Sequence, residues 1–393
     1  MTSVDGAVAR AQALFEHAQA HQDRMVDYLV ALARIESPTD VPGCQAPVQA
    51  LLTDSLEGLG FKVRRVRASG CDDHLWAVPA DRTCNVPAQL LIGHTDTVWP
   101  MGTLETMPVA VEGDTIRGPG TFDMKGGLTQ MVFALKALAD LGLRPPATPV
   151  LFINSDEETG STDSKRWVEM IARRVCRAFV PEPALGAVGR LKTARRGVAQ
   201  YAVTVHGKAA HSGLDPLGGA SAIQELAHVI HEMHALSDHD RGVSVNVGVI
   251  SGGTRSNVIA ARADGEVDVR MLRTSDWEEV DAALRAIQPA TPGTRVEISG
   301  GLVAPPMEKT PRNRRLWAAA KAAGERLGIQ LDEETSGGGS DGNTTSQYTA
   351  TLDGLGAVGD GAHAHHEHLS IRYLVERTAL LGELLMSPVE DGS

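Results

Sequence analysis

His94 and Asp96 stand two residues apart in Gly93-His94-Thr95-Asp96-Thr97. The apolar run Leu90-Leu91-Ile92 precedes them and reads as a buried strand. Side chains alternate along a strand, so both point to one face. They lie at its carboxyl end, where open α/β sheets place their chemistry. A neutral imidazole is the commonest metal ligand, and a nearby carboxylate commonly accepts the other ring N–H. The pair by itself also fits a satisfied structural contact. Asp123 sits where a helix over 121–141 begins. There it serves as an N-cap, as a carboxylate bridging two ions, or as both. Asp156, Glu157 and Glu158 follow the strongly apolar strand 149–154, and crowding three acids is costly without a cation. A short strand over 178–180 delivers Glu182 between Pro181 and Pro183, which stiffen its backbone. His363 opens a histidine-rich loop that also holds His365, His366 and His368.

Together His94, Asp123, Glu158, Glu182 and His363 offer two imidazoles and three carboxylates. Such a mixed nitrogen and oxygen set suits zinc, and also cobalt or manganese. Two-metal sites hold their ions about 3.5–4 Å apart with a bridging carboxylate. Glu157 is then an extra carboxylate able to take a proton from water.

The elements that position these residues come from a chain of 393 residues, long enough for two domains. Its net charge of −12 argues against nucleic acid or an anionic membrane as partner. No apolar run reaches the roughly 18 residues of a membrane span. The first residues lack a basic stretch followed by an apolar one, so a cytoplasmic protein without a secretory signal is expected. Cys44, Cys71, Cys84 and Cys176 are scattered, as free thiols are.

Helical spacing runs over 8–33 and 46–59, and strand alternation over 61–66. Gly113-Asp114 reads as a hairpin turn. Near Arg195 the periodicity changes. A strand over 197–206, a helix over 219–236, strands over 243–251 and 262–272, a helix over 275–288 with a Ser cap, and a strand over 295–299 follow. The order β-α-β-β-α-β is that of a ferredoxin-like unit. The expected division is therefore 1–195 and 306–393 for an α/β domain, with 196–305 inserted. In the last part a helix over 312–327, a strand over 329–333, a glycine-rich loop over 336–343 and a helix over 371–385 are expected. Gly354-Leu355-Gly356-Ala357-Val358-Gly359 fits a dinucleotide fingerprint in spacing, but a histidine-rich loop follows where that fingerprint needs a helix.

Several further stretches match one family in order: Gly118-Pro119-Gly120 with Asp123-Met124-Lys125-Gly126-Gly127, Asp156-Glu157-Glu158-Thr159-Gly160-Ser161, Gly207-Lys208-Ala209-Ala210-His211-Ser212-Gly213, Gly252-Gly253-Thr254-Arg255-Ser256-Asn257, and Gly337-Gly338-Gly339-Ser340-Asp341. The chain resembles the co-catalytic metallopeptidases that include bacterial glutamate carboxypeptidase, acetylornithine deacetylase, succinyl-diaminopimelate desuccinylase and aminoacylase. The resemblance implies a zinc-peptidase-like catalytic domain with a mixed central sheet flanked by helices, and an inserted dimerisation domain. It implies two Zn2+ per subunit, one on His94, Asp123 and Glu182, the other on Asp123, Glu158 and His363. Asp96 would orient His94, and Glu157 would be the general base. His211 would stabilise the oxyanion from the partner subunit of a homodimer. Asn257, Arg270 and Gly338 would bind the substrate, an N-acyl amino acid or peptide with a free carboxylate. His363 is chosen among the loop histidines because the family places a His four residues before a Glu, here Glu367. Gly300-Gly301-Leu302 with Pro305-Pro306-Met307 favours the glutamate carboxypeptidase branch. Ala304, however, stands where many relatives carry Arg, which removes one cation for an acidic side chain.

Overall fold

The computed structural model describes residues 4–83 and 85–389; Cys84 and its expected free thiol lie outside the described residues. Cys44, Cys71 and Cys176 are free. The chain divides into two compact units, one of residues up to 193 with 309–336 and 340–393, the other of 194–308 with 337–339.

In the first unit the apolar run before His94 becomes the strand Ala88–His94, buried at every position. It pairs in parallel with Thr148–Asn154 on one side and Arg177–Val180 on the other. Ala350–Asp353 adds a further parallel strand beside Arg177–Val180. Parallel strands covered on both faces read as continuous apolar runs, which is why the sequence pattern here lacks alternation. Leu90, Ile92, Val150 and Phe152 pack with Val168 and Ile171 of the helix Lys165–Ala172. Leu91, Leu151 and Ile153 belong instead to the larger core with Leu128, Met131 and Leu380. Antiparallel edges complete a mixed eight-stranded sheet.

The helix Gly126–Asp140 packs closely over the strand ends. A Cβ on Gly127 would run into the Pro181 carbonyl, and one on Gly93 would meet the Met124 and Met131 side chains. The Pro181 carbonyl is backbone and the methionine ends can shift, so glycine is required at position 127, against the chain that carries Glu182.

The second unit has the order Gly197–His206, Ala222–His234, Ser244–Gly252, Arg262–Met271, Thr274–Ala286, Arg295–Ala304. Its four strands form one antiparallel sheet with Arg262–Met271 and Gly197–His206 in the middle. Burial alternates along Gly197–His206, so one face is covered. Leu226, Val229 and Met233 from one helix and Val280 and Leu284 from the other pack with Tyr201, Val203 and Val267. This is the βαββαβ arrangement read from the periodicity.

Four local expectations are corrected. Asp123 is not an N-cap: the helix begins at Gly126 with Lys125 in the cap position, and Asp123 has the non-helical angles φ −119° and ψ 102°. The helix Thr274–Ala286 has Arg273 rather than Ser275 at its cap, and the Glu308 carboxylate accepts the Thr274 N–H and hydroxyl instead. No strand covers 329–332. The Ile329 N–H bonds back to the Gly324 carbonyl around left-handed Gly328, and the strand is Glu333–Ser336. The loop after it contains a helical turn, Asp341–Thr345, capped by the Ser340 side chain.

Candidate metal centre

The register aligns His94 with Asn154, so two parallel strands end level. His94 follows from the first, the turn with Glu157 and Glu158 from the second, and Glu182 from Arg177–Val180. His94 is 1% exposed. Its Nδ1 lies 2.9 Å from the Asp96 main-chain carbonyl and 3.4 Å from Asp96 Oδ1. A carbonyl only accepts, so Nδ1 carries a proton and Nε2 is the nitrogen turned toward the neighbouring carboxylates. That Nε2 lies 3.3 Å from Asp123 Oδ1 and 3.3 Å from Glu182 Oε1. On the other side, His363 Nε2 is 3.5 Å from Asp123 Oδ2 and 3.2 Å from Glu158 Oε2. Asp123 therefore turns one oxygen to each histidine. His363 reaches this place with φ 60°, a left-handed conformation uncommon for a residue with a Cβ.

Asp96 does more than face His94. Its Oδ2 accepts the Thr39 hydroxyl at 2.7 Å and the Glu158 N–H at 3.1 Å, and its Oδ1 accepts the Glu157 N–H at 3.3 Å. It thereby fixes the backbone that presents both glutamates. Asp156 points elsewhere, accepting the Asp163 N–H at 2.7 Å.

Glu367 was only a spacing marker in the sequence, yet it is buried and accepts four hydrogen bonds. Oε1 takes the N–H groups of Phe122 and Asp123 at 2.9 and 3.0 Å. Oε2 takes Gly120 N–H at 2.9 Å and the Trp99 indole at 2.7 Å. One carboxylate so holds the turn that carries Asp123. Asp341 plays a similar part by accepting Asn154 Nδ2 at 2.7 Å and Ser161 Oγ at 2.8 Å. Glu367 enters the sequence reading only through its spacing from His363, and Asp341 only as the end of the stretch Gly337-Gly338-Gly339-Ser340-Asp341; neither pattern shows what its carboxylate holds.

The electrostatics are those of a cation site. Asp96, Asp123, Glu157, Glu158 and Glu182 set five carboxylates against two imidazoles. Burial opposes charge on His94, but Asp123, Asp96 and Glu182 outweigh it and hold His94 well above the usual histidine range. Asp123 and Glu158 push His363 up to about 10. Burial raises Glu158 to about 7, and burial with the neighbouring Glu182 pushes Glu157 well above its ordinary value. His94 Nε2, Asp123 Oδ1 and Glu158 Oε1 are buried without a hydrogen-bond partner among the described residues. The crowded oxygens and Nε2 need a positive charge between them, a proton or a metal ion in its place, so the donor set fits metal ions. Two groupings, His94 with Glu157 and Glu182 and His94 with Asp123 and Glu158, offer ligand atoms within 4.8 Å of one another.

The second unit holds the other sequence candidates. His211 is exposed, and its Nδ1 accepts the N–H groups of Gly213 and Leu214, both at 3.1 Å. The proton is therefore on Nε2, the tautomer that donates outward. Asn257 adjoins it: its carbonyl accepts the Ser212 N–H. The Arg270 guanidinium is engaged by Asp268 at 2.8 and 3.0 Å. The Gly338 carbonyl accepts from Arg195 at 3.1 Å. Among the described residues no helix is long and apolar enough to cross a membrane.

A parallel-centred α/β sheet with a binuclear metal-binding site at its strand ends defines a metal-dependent amidohydrolase. Residues 90–387 match the model of Peptidase family M20/M25/M40, and the chain belongs to that family. It is 29% identical over 392 residues to carboxypeptidase G2 of Pseudomonas sp. (strain RS-16), covering 96% of this chain and 92% of that one. It is 28% identical over 370 residues to succinyl-diaminopimelate desuccinylase of Methylibium petroleiphilum, covering 88% and 92%. Its fold resembles that of aminopeptidase PepT from Bacillus cereus, with a TM-score of 0.80 and 22% identity over 93% of this chain and 98% of that one.

Proposed function

We propose that the protein is a di-zinc hydrolase that cleaves the amide bond of an N-acyl amino acid or peptide with a free carboxylate. The observation that carries this reading is Asp123, with one oxygen toward His94 and the other toward His363. His94, Asp123 and Glu182 would hold one ion, and Asp123, Glu158 and His363 the other. When bound, the ions supply Lewis acidity and lower the pKa of water toward neutrality. Glu157 is the proton carrier: it takes a proton from the attacking water on a carboxylate oxygen and returns it to the leaving amide nitrogen. Its backbone is fixed by Asp96, and its crowded, buried setting raises its proton affinity. His211, with its proton on Nε2, is a donor suited to an oxyanion, supplied by the partner subunit of a homodimer. Asn257, Gly338 and Arg270 would bind the substrate, Arg270 exchanging Asp268 for the substrate carboxylate.

Similarity to carboxypeptidase G2 along 96% of the chain supports the carboxypeptidase branch. A second reading, deacylation of N-acyl diamines, is favoured by similarity to a succinyl-diaminopimelate desuccinylase along 88%. A panel of N-acyl amino acids, C-terminal dipeptides and N-succinyl diamines separates the two by kcat/KM. In the same assay Glu157→Gln should retain its metal and lose at least about a hundredfold in kcat. Undiminished turnover by the metal-loaded variant would remove Glu157 from this role.

A further inference from the structure

A second cluster of metal-binding side chains lies outside the catalytic centre, at the end of the helix Val4–Ala20. His17 and His21 are four residues apart and the backbone stays helical between them, since the His21 N–H bonds to the His17 carbonyl at 3.2 Å. Residues at this spacing share one helix face. Their rings stack with centroids 4.1 Å apart and an interplanar angle of 18°. His21 Nδ1 lies 2.8 Å from the His17 carbonyl. That contact places the His21 proton on Nδ1 and leaves Nε2 as the ligand atom, as in metal sites whose histidines are anchored through the other nitrogen.

The third member is Asp140, the last residue of the helix Gly126–Asp140. Its Oδ2 lies 2.8 Å from His17 Nε2, and the three residues offer ligand atoms within 4.8 Å of one another. His17 and Asp140 bridge the two helices, whose carboxyl ends both approach this cluster. The partial negative charge of two helix ends favours a cation there. One cation is already present: Lys136 Nζ lies 2.8 Å from the same Asp140 oxygen.

We propose that His17, His21 and Asp140 form a third divalent-cation site, of the zinc, nickel or cobalt class, that joins the amino-terminal helix to the far end of the helix following Asp123. Two imidazoles and a carboxylate are the ligand chemistry for that class. The ion takes the place of the proton between His17 and Asp140 and displaces the Lys136 ammonium. Water completes its shell, because Asp140 is partly exposed.

The test is equilibrium dialysis of the full-length protein against micromolar ZnCl2, with zinc counted per chain. Wild type should bind one ion more than His17→Ala or His21→Ala. The difference is the reading, so it stands whatever the catalytic centre holds. His21→Ala keeps the His17–Asp140 contact and guards against a folding defect in the first variant. Lys136→Gln, which removes the competing cation, should tighten the additional ion several-fold. Zinc should also raise the Tm of wild type more than that of either histidine variant. Equal zinc content and equal Tm shifts in wild type and both histidine variants would overturn the site.

Discussion

A carboxylate that accepts four hydrogen bonds cannot be replaced by an amide without turning an acceptor into a donor. Glu367 is in that position toward Gly120, Phe122, Asp123 and Trp99. Glu367→Gln should face an N–H group with its own NH2 and loosen the turn that carries Asp123. The expected result is a metal affinity lower by about 10–100-fold, measured by competition with a chelator. The loop histidines separate as cleanly. His363 Nε2 reaches Asp123 and Glu158, whereas His365 packs beside Trp99 at 5.5 Å and His366 lies 3.8 Å from Asp360 on the surface. His363→Ala should therefore lose metal, and His365→Ala and His366→Ala should keep it, by metal analysis of each. His94, Glu158 and Glu182 were legible because each follows an apolar strand. Glu367 was not, because bonds to backbone N–H groups leave no trace in residue spacing.

Elements announced themselves where one face is buried and the other is wet. Gly197–His206 alternates and is legible, and so is the helix Ala222–His234 that follows it, whereas the preceding helix Lys165–Ala172 was not expected. His74–Pro79 and Leu191–Arg195 went unread: the second carries Lys192, Thr193 and Arg195, yet it is buried throughout. Its polar side chains are covered by neighbours that only the folded chain supplies. The second unit contains a comparable case with a measurable consequence. Glu225, on the helix Ala222–His234, is fully buried and accepts the N–H groups of Ala290 at 3.0 Å and Thr291 at 2.6 Å. Burial works against its charge, but hydrogen bonds from Thr291 and Ala290 win and hold its pKa below the ordinary glutamate value of 4.5. A depressed folded-state pKa adds stability above the unfolded value, and that stability fades as pH falls through the folded one. Glu225→Ala should cost about 1–3 kcal/mol at neutral pH in urea unfolding. The difference from wild type should shrink as the solution is acidified below pH 4.5.

At the scale of the molecule, the α/β class and the βαββαβ order were both legible, because periodicity changes where one architecture gives way to the other. The return of the chain to the first unit at residue 309 matters to the chemistry, since it brings His363 and Glu367 to residues more than 200 positions earlier. No local pattern encodes such a closure; the family resemblance carried it. In the proposed site Asp123 would serve two metal ions, one on the His94 side and one on the His363 side. Anomalous diffraction at the zinc edge from crystals of the zinc-loaded protein tests it most directly. Two peaks should flank the Asp123 carboxylate, about 3.5–4 Å apart. A single peak on one side of Asp123, or none between His94 and His363 in a protein that turns over its substrate, would contradict it.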